Sequence, residues 1–262
     1  QHGGLWTLLR CFRGEAKKNA AYLSIELPLK KNNLSDKLVF DLRNEILTFF
    51  CSGVHENAEV FLDESGGRFV PRLVESLIPA PFSIRQLNIH GTYIITGGTG
   101  GLGISTARWL ADIGVRNIVL LSRTNMKEAD SANPDYQFLF GSGLNTLWLC
   151  CDVSNESDVE LTLIKIRNTM PPICGIIHAA GIYDCGHISE MIKSRFDDVF
   201  AAKVAGAWNL HNLTISDPLE LFVVYSSIWS LFGGVGEVPY SCANGALDSL
   251  IIHRLSQGRC GV

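Results

Sequence analysis

The chain has 262 residues, 47% of them hydrophobic and 18% charged, with a formal net charge of −4. That composition supplies a sizeable core and excludes a disordered chain. The weak acidic balance gives no field for nucleic acid or an anionic membrane surface. Eight cysteines without a CxxC spacing, two of them adjacent at Cys150 and Cys151, suit neither a zinc site nor a disulfide framework. No metal is expected, and reduced thiols in a cytoplasmic protein are the expected state. No apolar run reaches the roughly 20 residues that cross a bilayer. The start, Gln1-His2-Gly3-Gly4, carries neither a secretory signal nor an initiator methionine and suggests a piece of a longer polypeptide.

In chain order, residues 1–88 open with the amphipathic LWTLLRCFR. A strand-like AYLSIEL, a helix over 36–50 and short strands near AEVFLD and RFVPRLV follow. This stretch holds no glycine-rich turn and no polar cluster, so it reads as a small α/β companion without an active site. The joint is expected near Pro79-Ala80-Pro81. Residues 89–262 then alternate strand and helix. TYIIT (92–96) is a strand, ISTARWLADIG a helix ended by Gly114, NIVLLSR (117–123) a strand and TLWLCCDVS (146–154) another. Residues 155–169 are helical, 171–181 contain a fourth strand, 189–213 a long helix, 219–227 a fifth strand and 240–257 a helix. Such alternation implies right-handed crossovers and a doubly wound parallel sheet.

The chemistry-bearing residues fall at the carboxyl ends of these strands, where open α/β sheets bind ligands. Gly97-Gly98-Thr99-Gly100-Gly101-Leu102-Gly103 lies between a strand and a helix, so its amides can face a phosphate. Gly97, Gly101 and Gly103 would allow the tight turn and close approach. The next strand ends Ser122-Arg123; an arginine there accommodates a 2′-phosphate and favours NADPH over NADH. Asp152-Val153 ends the third strand. Asp152 is placed either to accept from an adenine amino group or, with Ser154 as the other candidate, to cap the following helix. Ala179-Ala180-Gly181 ends the fourth strand with small residues beside the expected cofactor, and His178 reads as a packed strand residue. Tyr225-Ser226-Ser227 ends the fifth strand, and Tyr240 follows. Tyr240 has Asn244, not lysine, one helical turn later.

TGGTGGLG with a strand-end serine and a downstream tyrosine resembles the short-chain dehydrogenase/reductase superfamily, whose usual member carries Tyr-x-x-x-Lys. One branch departs in the way this chain does: the ketoreductase domains of modular polyketide synthases and animal-type fatty acid synthases. There the lysine sits upstream and an asparagine follows the tyrosine. AAKVAGAWNLH, with Lys203, is similar to that branch's pattern, as are VYSSIWSLFGGVGEVPYSCANGALD, NIVLLSR, CDVS and GIIHAAG. The resemblance extends to residues 1–88, through GLWTLLRCFRGE and RFVPRLV, as that family's structural subdomain.

The resemblance implies a Rossmann-type NADPH-binding catalytic subdomain over 89–262. Its implied reaction is NADPH-dependent reduction of a β-ketoacyl thioester carried on an acyl carrier protein, beside neighbouring synthase domains. It implies that Ser227 and Tyr240 bind the ketone, with Tyr240 donating the proton, Lys203 lowering its pKa and Asn244 holding the lysine. The cofactor is implied at Gly97, Thr99, Gly100, Gly101, Leu102, Gly103, Ser122, Arg123, Asp152, Val153, Ala179, Ala180 and Gly181. The other readings are a stand-alone carbonyl reductase and a redox-silent scaffold domain.

The family's markers of product handedness are replaced: Tyr183-Asp184-Cys185 stands for Leu-Asp-Asp, Phe232 for a tryptophan and Glu237 for a glutamine. The sequence stops at Val262, where the resemblance implies a further strand and a lid.

Overall fold

The computed structural model describes residues 3–15, 23–27, 36–51, 58–63, 65, 67–75, 87–124, 133–141 and 143–262. The joint expected at Pro79-Ala80-Pro81 lies outside these residues. Contacts divide the chain into residues 12–84 and residues 1–11 with 85–262. The first helix, α1 (Gly3–Glu15), therefore begins within the larger unit.

In residues 12–84, β1 (Leu23–Glu26) runs parallel to β2 (Ala58–Leu62), and β3 (Arg68–Phe69) pairs antiparallel to β2. The intervening α2 (Asp36–Cys51) buries Leu38 in a small core with Val60 and Leu62. Asp63 closes the β2–β3 turn by accepting from the Ser65 and Gly67 amides at 2.8 and 2.7 Å. Arg68 forks onto Glu45 with two 2.7 Å bonds.

The larger unit carries β4 (Thr92–Thr96), α3 (Gly101–Asp112), β5 (Asn117–Ser122), α4 (Pro134–Gly141) and β6 (Asn145–Cys150). Next come α5 (Glu156–Thr169), β7 (Ile173–His178), α6 (Lys193–Phe200), a π-helical turn (Ala201–Ala205) and α7 (Gly206–Leu213). The series ends with β8 (Leu221–Val224), α8 (Trp229–Phe232) and α9 (Val238–Ser256). The strands form one sheet in the order β6-β5-β4-β7-β8, every pair parallel.

A parallel sheet must be covered on both faces, and two cores do so. Ile94, Val119, Leu121, Ile176 and Phe222 pack with Val159, Leu163 and Leu210 on one face. Tyr93, Ile95, Ile118 and Leu120 pack with Ala107, Leu110 and Leu139 on the other. The order reverses between β4 and β7, and that switch point is where such sheets open a crevice.

The five strands and their crossover helices match the expected doubly wound architecture. The short helices α4 and α8 were not expected. The PDYQFLFG segment of α4 buries only Tyr136 and Leu139, too few apolar positions to show a helical period. At the far edge, Val262 exchanges two 2.9 Å backbone bonds with β8, accepting from Val224 and donating to Phe222. All eight cysteines are free thiols.

Residues 3–11 earn their place in the larger unit through side chains. Cys11 is buried with Val238 and Cys242 of α9. Thr7 Oγ1 and Arg10 Nη1 each donate to the Ser230 carbonyl at 2.9 Å. The first turns of α1 thus grip α8, the short helix that follows Ser227.

Candidate active site

Gly97 follows β4 at φ +69°, and a Cβ there would stand 2.8 Å from the Ala179 carbonyl carbon and oxygen at the end of β7. Only glycine meets both demands. A Cβ on Gly103 would strike the Gly97 carbonyl oxygen at 2.4 Å, so the first turn of α3 can close onto the loop only with glycine there. Thr99, Gly100, Gly101 and Leu102 are exposed, and a Cβ on Gly101 would meet nothing within 4 Å. Gly100 caps α3 without a side-chain bond, and its first turn carries no acid. The exposed N-terminus of α3, beside the switch point, suits a dinucleotide's diphosphate.

Further along this edge, Ser122 is buried and donates its hydroxyl to the Thr124 carbonyl, whereas Arg123 is exposed. Asp152 does not cap α5, and neither does Ser154. Asp152 Oδ1 accepts from the Ser154 amide at 3.0 Å and hydroxyl at 2.7 Å, while the capping residue is Asn155, which accepts from the Asp158 amide. Five residues separate the end of β6 at Cys150 from the start of the helix at Glu156, so the cap falls on the last of them, Asn155. Val153 is buried, and its carbonyl accepts from Asn209 Nδ2 of α7 at 2.9 Å, a tie the sequence did not signal.

Ala179 and Ala180 are half-buried. Gly181 has a role that its place in a small-residue run hid. A Cβ there would lie 3.0 Å from Lys203 Cε and 3.2 Å from Cγ, so the bare glycine makes room for the lysine stem.

The residues expected to form the tetrad come from three elements. Tyr240 and Asn244 lie one turn apart on α9, Lys203 lies in the π-helical turn, and Ser227 stands in the loop after β8. Lys203 is buried at 6% exposure, and its Nζ donates to Asn244 Oδ1 at 2.7 Å and to the Tyr225 carbonyl at 2.9 Å. The ammonium sits 5.1 Å from the Tyr240 ring centroid, within cation–π range. Asn244 Nδ2 donates back to the Tyr240 carbonyl at 2.9 Å. Both neighbours fix the amide's orientation, because an ammonium cannot accept and a carbonyl cannot donate.

An asparagine at this position therefore joins tyrosine and lysine through one side chain. Burial pulls the Lys203 pKa down to about 8, with Asp248 opposing the shift. Ser227 Oγ accepts from the Trp229 amide at 3.3 Å, whereas Ser226 Oγ turns to the Asn244 carbonyl at 3.4 Å.

Of the replaced marker positions, Tyr183 lies against Tyr240. The Tyr183 ring meets Tyr240 edge-on at 5.1 Å, and the Tyr183 hydroxyl donates to Glu237 Oε1 at 2.8 Å. Asp184 is forked by Arg195 Nε and Nη2 at 2.6 and 2.5 Å. Phe232 is exposed on α8. His178 is a buried strand residue, as the sequence suggested.

The KR domain family profile matches residues 91–262. The chain is 40% identical over 187 residues to "Phenolphthiocerol synthesis polyketide synthase type I Pks15/1" of Mycobacterium marinum, which covers 71% of this chain and 9% of that protein. It is 36% identical over 240 residues to "Highly reducing polyketide synthase PKS6" of Gibberella zeae, covering 84% of this chain and 9% of that protein. The chain thus spans about a tenth of the length of these curated relatives. A solved structure described as "Structure of A-type Ketoreductases from Modular Polyketide Synthase" superposes with a TM-score of 0.83 at 28% identity, covering 99% of this chain and 52% of that one. With the glycine turn at the switch point and a lysine joined to the asparagine and tyrosine of α9, the chain belongs to the KR domain family, the ketoreductase domains of polyketide synthases.

Proposed function

We propose that this domain uses NADPH to reduce a β-ketoacyl thioester, carried on an acyl carrier protein, to the β-hydroxyacyl thioester. The observation that carries the reading is the Lys203 ammonium held by Asn244 at 2.7 Å and 5.1 Å from the Tyr240 ring. NADPH, when bound along Gly97–Gly103, supplies the hydride.

The protein's own residues manage the proton. The Ser227 hydroxyl and the Tyr240 phenol hold the ketone oxygen by hydrogen bonds, and Tyr240 gives that oxygen its proton as negative charge grows there. A free phenol titrates near 10, too weak an acid for easy transfer at neutral pH. A buried ammonium close to the ring stabilises phenolate and favours the transfer. Asn244 and the Tyr225 carbonyl keep the ammonium in place, so little reorganisation is needed when the charge appears.

Incubating the protein with NADPH and a β-ketoacyl thioester carried on a pantetheine mimic is the test. Loss of nicotinamide absorbance that requires both reactants, with a β-hydroxyacyl product, is the expected result. NADPH binding without any ketone reduction would contradict it and favour a redox-silent scaffold.

Arg123 sets the cofactor choice in this reading. Replacing it with alanine removes a cation facing a ribose 2′-phosphate. The dissociation constant for NADPH should rise roughly tenfold, the factor that about 1.4 kcal/mol represents, while that for NADH stays within about twofold. Fluorescence titration of both cofactors reads the ratio. An equal change for both would remove Arg123 from the 2′-phosphate site.

A further inference from the structure

The imidazole of His178 takes no part in the chemistry above, yet it ties together the strand ends and the turn that bears the lysine. His178 faces Thr96 in the β4–β7 register, and its Nδ1 lies 2.8 Å from Thr96 Oγ1. Its Nε2 lies 2.9 Å from the Lys203 carbonyl oxygen. A carbonyl can only accept, so Nε2 carries the proton. Burial holds the ring's pKa down at about 4, so it is neutral and Nδ1 is the acceptor. Thr96 must then donate its hydroxyl proton to Nδ1, leaving its lone pairs for the Ala180 amide at 3.1 Å. Every polar atom of the group is thereby satisfied without water.

The connections close a ring. The Tyr225 amide donates to the His178 carbonyl at 3.1 Å. The Tyr225 carbonyl accepts from Lys203 Nζ at 2.9 Å, and the Lys203 carbonyl accepts from the His178 ring. Lys203 is thus held at both its backbone and its ammonium by two adjacent strand ends. Its turn is π-helical: the Gly206 amide reaches back to the Ala201 carbonyl as well as to that of Lys203. A widened turn disturbs the regular ladder, and the His178 ring supplies a further donor there. Gly206 gives the ring its space, since a Cβ would stand 3.1 Å from His178 Cε1.

We propose that His178 is a positioning residue for Lys203, fixed as the Nε2–H tautomer by the Lys203 carbonyl to which it donates and setting the π-helical turn from which the lysine reaches Tyr240. The proposal deepens the ketoreductase reading and rests on it only where turnover is concerned. Releasing the turn lets water reach the ammonium and weakens its hold beside the phenol.

Two NMR measurements on the whole chain test this. Nitrogen-15 histidine spectra should show His178 as the Nε2–H tautomer. The Lys203 Nζ titration, near 8 in the wild type, should rise toward the ordinary lysine value of about 10.5 in His178→Leu. In the same variant kcat should fall roughly 10²-fold, the cost of a misplaced catalytic group, with NADPH affinity retained. His178→Gln, whose amide can donate to the Lys203 carbonyl, should recover part of both signals. An Nδ1–H tautomer in the wild type, or a folded His178→Leu with an unchanged Lys203 titration, overturns the proposal.

If His178→Leu does not fold, Thr96→Val takes its place. It keeps the ring and its Nε2–H bond to the Lys203 carbonyl but removes the hydroxyl that steadies Nδ1, so the tautomer should stay Nε2–H while the Lys203 titration rises; an unchanged Lys203 titration overturns the proposal. A wild type that binds NADPH but reduces no ketone would count against the ketoreductase reading, while the tautomer and the lysine titration would still decide the role of His178.

Discussion

Tyr240→Phe lowers kcat for ketone reduction by roughly two to four orders of magnitude, the range of a removed general acid. The change deletes one oxygen and keeps the ring. That ring packs edge-on to Tyr183 at 5.1 Å and lies 5.1 Å from the Lys203 ammonium. Neither contact needs the hydroxyl, and Asn244 bonds to the Tyr240 carbonyl, which the variant retains. Folding and NADPH affinity should therefore change little, so the loss falls on the chemical step. Steady-state NADPH oxidation beside a thermal melt measures both. A variant within tenfold of wild-type turnover would remove Tyr240 as proton donor.

Lys203→Met lowers kcat by about 10²–10³-fold, comparable to losing one preorganised electrostatic contact. Methionine approximates the stem that Gly181 accommodates, so packing is kept while the ammonium is lost. The Asn244 Oδ1 and Tyr225 carbonyl acceptors lose their donor, and leaving such buried groups unpaired costs about 1–3 kcal/mol each. Removing a desolvated charge offsets part of that cost. The melting temperature should consequently fall far less than the activity does. Lys203→Arg should not restore turnover, because the bulkier guanidinium has to pass Gly181 and fit a pocket shaped by one amide and one carbonyl. Full activity in Lys203→Met would leave the site without its cation.

The sheet was legible because its strands are short apolar runs alternating with helical segments. TYIIT is buried at every position, as is ICGIIH, and a fully buried strand must be written in apolar and β-branched residues. Asn244 was the informative residue of the site: an amide one turn after a tyrosine sends the search for a cation to another helix, and Lys203 is where the structure has one. The tie between His178 and the Lys203 carbonyl was not legible, because it depends on a π-helical turn and on register between two strands. The Thr7 and Arg10 bonds to the Ser230 carbonyl were hidden for a similar reason. They join residues more than two hundred positions apart, and a periodicity reading carries nothing at that range. Gly181 shows the remaining difficulty: its place in a small-residue run suggested a cofactor, while its missing Cβ makes room for the lysine.

The central claim is that a lysine from the π-helical turn between α6 and α7 serves Tyr240, and the pH dependence of turnover tests it most directly. Lys203 titrates at about 8, and only its ammonium form stabilises phenolate. The rate of NADPH-dependent ketone reduction at saturating cofactor should hold below pH 8 and fall as pH rises through it. Lys203→Met should lack that limb and show a uniformly low rate. A wild-type profile that stays level through pH 8, or the same falling limb in Lys203→Met, would contradict the account.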